Sequence, residues 1–173
     1  MHMILRTILI FLRRRWLKPI IIGDVSTVEM RVLPTDLDLL MHVNNGVYFS
    51  FMDFGRWNMI FRNGVYDLSL RKGWYSVVAG ETIRFRRSLK LWQKFSIETK
   101  VLGHDDKNFF IRQRFYRKGE LMAAGLVRVS FLKRSGGRVL PDEVLKELRA
   151  DLPRVAPNLP DHWSSLEENY VPQ

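Results

Sequence analysis

Apolar residues recur with a helical period in the first 18 residues, MHMILRTILIFLRRRWLK. At about 100° per residue, Ile4, Leu5, Ile8, Leu9, Phe11, Leu12 and Trp16 gather on one side, while Arg6, Arg13 and Arg14 lie elsewhere and Arg15 breaks the pattern. The pattern predicts a basic amphipathic helix, set apart over residues 1–22 ahead of one domain over residues 23–173. The run is too short to span a bilayer. Its charges follow the apolar stretch and no small-residue cleavage site comes after it, unlike a signal peptide. Two placements stay open for such a helix: packed on its own domain or a partner subunit, or laid on a membrane surface.

Beyond Pro19 the period falls to two. Ser26 to Leu33 alternates as a strand does, and Pro34 ends it by removing a ladder donor. From Val47 to Arg62 there is no proline and one glycine, and apolar side chains cover nearly the whole circumference of a helix. Such a helix is buried on most sides. Asn44 or Asn45 suits its N-cap, and Asn63-Gly64 suits an end that needs a left-handed residue. After a connection through Tyr66 to Gly73 come four strand-like segments: Tyr75 to Leu89, Phe95 to Leu102, Asn108 to Arg117 and Leu121 to Leu132. Short turn signals separate them, which predicts an antiparallel meander. Pro141 to Ala150 reads as a short helix with proline at its start, and the tail from Asp151 reads as extended over the surface.

Composition narrows the classes. With 173 residues, of which 46% are hydrophobic, the chain can bury one substantial core. The net charge of +10 points to an anionic partner: nucleic acid, membrane lipid, an acidic carrier protein or a phosphorylated small molecule. Without cysteine there is no disulfide, thiolate metal site or cysteine nucleophile. The four histidines lie far apart with no H-E-x-x-H spacing for zinc, RSGGR lacks the spacing of a phosphate loop, and no serine sits in a G-x-S-x-G elbow. Arg84, Arg86, Arg112, Arg114 and Arg128 stand at alternate strand positions and can share a sheet face with Phe110 and Tyr116. That face suits phosphates of coenzyme A or of a carrier arm. A single-stranded nucleic acid is disfavoured, because no RNA-recognition signature accompanies it.

The densest polar cluster precedes the buried helix: Asp36, Asp38, His42, Asn44 and Asn45 in DLDLLMHVNN. A helix start offers unpaired N–H groups and the positive end of its dipole, which stabilise charge developing on a carbonyl oxygen. The same residues also have plain structural uses, the aspartates as turn formers and the asparagines as caps.

One strand, a buried helix and a meander, together with DLDLLMHVNNGVY over residues 36–48, resemble the hotdog-fold thioesterases. The segment is similar to the D-x-D-x-x-x-H-x-N-N-x-x-Y signature of the 4-hydroxybenzoyl-CoA thioesterase-like branch. It is similar also to the D-x-N-x-H-x-N-N segment of plant acyl-carrier-protein thioesterases. The nearest likeness is to the family of thioesterase superfamily member six, which shares the P-x-D-L-D-L-L-x-H-x-N-N stretch, an arginine near the end of the helix (Arg56) and an R-x-R-R-S-L strand (Arg84 to Leu89).

The resemblance implies an α+β hotdog fold, an antiparallel sheet wrapped around a long central helix, paired as a homodimer or a dimer of dimers. It implies hydrolysis of an acyl-CoA or acyl-carrier-protein thioester without a cofactor or metal, coenzyme A entering only as part of the substrate. Asp38 would be base or nucleophile, His42 would orient it or shuttle a proton, and Asn45 would assist. Asn44, Gly46, Tyr48, Arg84 and Arg86 would bind substrate. Leu40 and Met41 stand where the plant enzymes have asparagine and many relatives have glycine. The competing reading is a catalytically silent acyl or lipid binder apposed to a membrane. A cytoplasmic protein, peripheral to an anionic membrane through residues 1–18, is the matching location.

Overall fold

The computed structural model describes residues 2–155, with the side chains of residues 2–5, 7 and 15 outside that description. Helix α1 (His2–Arg13) runs into a short 3-10 turn and is followed by β1 (Ser26–Arg31). Then come α2 (Asn45–Ile60), α3 (Val65–Lys72), β2 (Trp74–Phe85), β3 (Lys94–His104), β4 (Phe109–Arg117), β5 (Glu120–Lys133), β6 (Arg138–Val139) and α4 (Pro141–Leu148). The strands form one antiparallel sheet in the order β1-β3-β4-β5-β2, with β6 on β5. It is the α+β arrangement of a sheet curled on a helix that the sequence predicts.

Helix α2 is the core of this arrangement. Tyr48, Phe51, Met52, Phe54 and Met59 are buried on it, and burying each large side chain is worth about 1.5–3 kcal/mol. The helix lies so close to the sheet that a Cβ on Gly55 would come within 2.5 Å of Gln113 Nε2 and 2.6 Å of Thr99 Oγ1. Gly55 is therefore a contact point with β3 and β4. The concave sheet face presents Ile97, Thr99, Ile111, Gln113, Phe115 and Val127, all buried.

The structure departs from the sequence reading in several places. Residues read as a connection form α3, bracketed by Gly64 (φ 79°) and Gly73 (φ 65°), with Asn63 Oδ1 accepting the Val65 amide and Val65 and Leu68 buried. Its eight residues are too few to carry a clear period. Strand β2 stops at Phe85, because the amides of both Arg86 and Arg87 donate to the Met122 carbonyl and end the ladder. The apolar side of α1 is only partly packed: Phe11 lies edge-on to Phe61 and Tyr66, with Ile8 bordering the same cluster, and Arg6 and Ile10 also face the domain, while Leu9, Leu12 and, in the turn after the helix, Trp16 are 57%, 56% and 80% exposed. Leu152 is buried and Arg154 bridges to His104, so the start of the tail is docked, and its remainder from residue 156 lies outside the described residues.

Candidate functional site

The polar cluster folds into a compact loop at the start of α2. Its foundation is Asp36, which has no exposed surface. The Asp36 carboxylate accepts the Leu33 amide at 2.7 Å and both Arg6 nitrogens, Nη1 at 3.2 Å and Nη2 at 2.9 Å. Arg6 also donates to the Arg31 carbonyl and lies 5.4 Å from the Phe51 ring centroid. The Asp36 carbonyl in turn accepts the Asn44 amide at 2.9 Å. A residue of the N-terminal helix thus ties the loop to the cap of α2.

Asp38 closes the loop on itself. Its amide donates to the His42 carbonyl at 2.8 Å, and its Oδ1 accepts the amides of Leu40 at 2.9 Å and His42 at 3.3 Å. Its other oxygen, Oδ2, accepts neither of these amides. Between them Leu39, Leu40 and Met41 form an exposed tip, and Met41 takes a left-handed conformation at φ 59°. A shallow, open groove runs past Leu37, Asp38, Leu40, Met41, Asn44 and Leu91.

Asn44, and not Asn45, is the N-cap: its Oδ1 accepts the Gly46 amide at 2.8 Å, which commits that N–H to the cap. Asn45 and Gly46 sit exposed in the first turn. Tyr48 is 2% exposed, packed edge-on against Phe51, Phe85 and Phe115, with its hydroxyl accepting the Leu89 amide at 3.3 Å. Burial raises its pKa above the ordinary phenol value, so it stays protonated at neutral pH. The Val43 amide donates to the Leu89 carbonyl, and His42 bridges Lys90. These contacts bring the segment after β2 beside the loop.

Arg84 and Arg86 are exposed at the end of β2 and just beyond it. Arg84 and Arg114 both lie opposite Ala124, and Arg128 lies opposite Phe110 while Arg112 pairs with Leu126. Partners directly opposite in a ladder share a face. Arg84, Arg112, Arg114 and Arg128 therefore stand on the sheet face turned away from α2, together with Phe110. The structure gathers Asp38, His42, Asn44, Asn45 and Gly46 in one place, with Tyr48 beneath, whereas Arg84, on the far face of the sheet, and Arg86, just past the end of β2, do not line this groove.

Sequence reasoning missed a second polar centre, buried between α2 and the sheet. Arg56 Nη1 donates to Gln113 Oε1 at 2.9 Å and lies 3.4 Å from Glu81 Oε2, while Nη2 donates to Asp53. Gln113 donates onward to the Met52 carbonyl and to Thr99 Oγ1. Burial pushes the Glu81 carboxyl above its ordinary value, opposed by Arg56 and reinforced by Asp53. The available signal was Asp53 and Arg56, one turn apart inside an otherwise apolar helix, where a charge needs a partner.

Residues 32–157 match the Thioesterase-like superfamily, and the chain belongs to that superfamily. Within it the chain resembles Protein THEM6 of Danio rerio, with 34% identity over 140 residues that cover 80% of this chain and 68% of that protein. Protein THEM6 of Xenopus laevis is 48% identical over 84 residues, 49% of this chain and 41% of that protein. The chain thus matches well under two thirds of the Xenopus relative's length. Among solved structures, YbaW, a probable thioesterase from Escherichia coli, superimposes with a TM-score of 0.67 at 20% identity, covering 72% of this chain and 96% of its own. That likeness carries the hotdog fold.

Proposed function

We propose that the protein hydrolyses an acyl-CoA or acyl-carrier-protein thioester at the start of α2. The observation that carries this reading is Asp38, held by two backbone amides through Oδ1 in an open groove beside the capped start of a helix. Oδ2 is then the oxygen that serves as general base toward water or as nucleophile toward the carbonyl. The dipole of a 16-residue helix favours the oxyanion that develops. His42, hydrogen-bonded to Asp38 through its backbone, and Asn45 complete the catalytic set. Asn44 and Gly46 shape the helix start, Tyr48 braces it from below, and Arg84 and Arg86, which lie outside this groove, meet phosphates of the coenzyme or carrier arm at the groove of a second copy. No cofactor or metal is required.

The rival reading, a silent acyl binder, draws support from Asp38 Oδ1 being spent on its own loop and from Leu40 and Met41 supplying no side-chain amide there. The groove then binds without turnover. A colorimetric thiol assay over a panel of acyl-CoA esters separates the two readings, since the cysteine-free protein adds no background thiol. Release of free coenzyme A above the blank supports hydrolysis, and binding without release supports the rival.

The assembly belongs to the same proposal. β2 is the last strand of the sheet, with Tyr75, Val78 and Phe85 exposed along it, and an open apolar edge favours pairing with a second copy. Light scattering at micromolar concentration should give a dimer or tetramer, and a monomer would defeat that part of the proposal. No helix among the described residues is long and apolar enough to cross a membrane. The exposed Leu9, Leu12 and Trp16 beside Arg13 and Lys18 suit instead a peripheral contact of α1 and the turn after it with an anionic bilayer.

A further inference from the structure

A cavity of about 160 Å³ lies between the second half of α2 and the sheet. Ile60, Ile111 and Val129 are among its mainly apolar walls, and Asp53, Arg56 and Asn63 contribute polar groups. None of the loop residues around Asp38 lines it. From Asn45 at the helix start to Arg56 the axis advances about 16 Å, so this space is remote from the groove of the proposed reaction.

Asn63 gives the cavity a chemical preference. It is 8% exposed, and its Oδ1 is occupied by the Val65 amide at 3.2 Å. Asn63 lines the cavity, and its Nδ2 is buried and finds no hydrogen-bond acceptor among the described residues. A buried donor left unmade is costly, so an acceptor oxygen is wanted there. Size and charge restrict the molecule that brings it. An apolar cavity of about 150 Å³ in another protein takes up benzene, so this one suits a ring or a short branched chain. Arg56 is already engaged by Asp53, Glu81 and Gln113, which leaves no cation for an anionic head group.

We propose that this cavity is a binding site for a compact, uncharged, apolar molecule carrying one acceptor oxygen, a ketone or similar group, which receives the Asn63 Nδ2 hydrogen. The site stands independently of thioester hydrolysis, and its test reads binding alone. Cyclohexanone is the probe, titrated into ¹⁵N-labelled full-length protein, with cyclohexanecarboxylate as the charged comparison. The expected result is saturable movement of the backbone amide signals of residues lining the cavity, Ile60 and Ile111 among them, and in wild type of the Asn63 side-chain amide, with a dissociation constant on the order of millimolar for so small a ligand. Ile60→Phe, which fills the space, should abolish the response, and Asn63→Leu should weaken cyclohexanone binding about tenfold, the usual worth of one neutral hydrogen bond. Cyclohexanecarboxylate should produce no saturable shift. Should Asn63→Leu fail to fold because α3 loses its cap, Ile60→Phe and the carboxylate comparison decide. The proposal is overturned by a response to cyclohexanone that never saturates, by one that survives Ile60→Phe, by equal binding of the carboxylate, or by a folded Asn63→Leu protein that binds as wild type does.

Discussion

Replacing Arg6 by methionine tests whether the N-terminal helix is an appendage or part of the loop that carries Asp38. The substitution keeps an unbranched apolar stem near Phe51 and removes the charge and both hydrogen bonds to Asp36. The Asp36 side chain is fully buried, whereas Arg6 is 13% exposed, so the carboxylate loses the guanidinium where water reaches it poorly. Removing one partner of a buried pair costs about 3–5 kcal/mol. The Leu33 amide still donates to Asp36 Oδ2, which favours the lower end, about 3 kcal/mol. For a chain of this size that corresponds to a fall in Tm of roughly 6–12 °C. Thermal and urea unfolding of wild type, Arg6→Met, Asp36→Asn and the double variant complete the cycle. The double variant should cost less than the sum of the singles, with a coupling of about 2 kcal/mol or more, because the neutral amide no longer needs the guanidinium. An Arg6→Met protein within about 0.5 kcal/mol of wild type, the range of ordinary surface changes, would refute the reasoning, as would strict additivity.

Glu81 makes a pH prediction. A carboxyl whose folded pKa is raised adds stability below its unfolded value of 4.5 and loses it as pH rises through the folded value, so Glu81→Gln should gain on wild type as pH rises above 4.5. A difference in Tm that stays constant with pH would exclude a buried, raised carboxyl. If α1 touches an anionic surface, the protein should sediment with phosphatidylglycerol vesicles at low salt and be released as salt rises, because exposed charges are screened. Equal sedimentation of Leu9→Gln/Leu12→Gln, which spares Arg6 and the fold, would remove its apolar face from any role.

The sequence conveyed the architecture because each large element carries its own period: alternation in β1, apolar residues all around α2, and short turns between β2, β3, β4 and β5. It conveyed the placing of the Asp38 cluster because a cap residue and a helix start are local features. It could not convey Arg6–Asp36, since 30 residues separate two charges whose pairing depends on how α1 docks. For the same reason the period of α1 left its placement open, and the helix is held both by Arg6 on the buried Asp36 carboxylate and by Phe11 against Phe61 and Tyr66. The Arg56 centre escaped because Gln113 and Glu81 meet it only through the register of β4 and β2.

The central claim, that Asp38 is the group that acts on a thioester, is tested most directly by comparing wild type and Asp38→Asn across an acyl-CoA panel, with turnover and ligand affinity measured on the same preparations. Asparagine keeps the size and the Oδ1 acceptor that closes the loop while removing charge and basicity. Turnover should fall about 10²-fold or more, as for a lost general base, with affinity for the acyl-CoA little changed. A wild-type protein that binds an acyl-CoA yet hydrolyses no member of the panel above the Asp38→Asn background would contradict the claim.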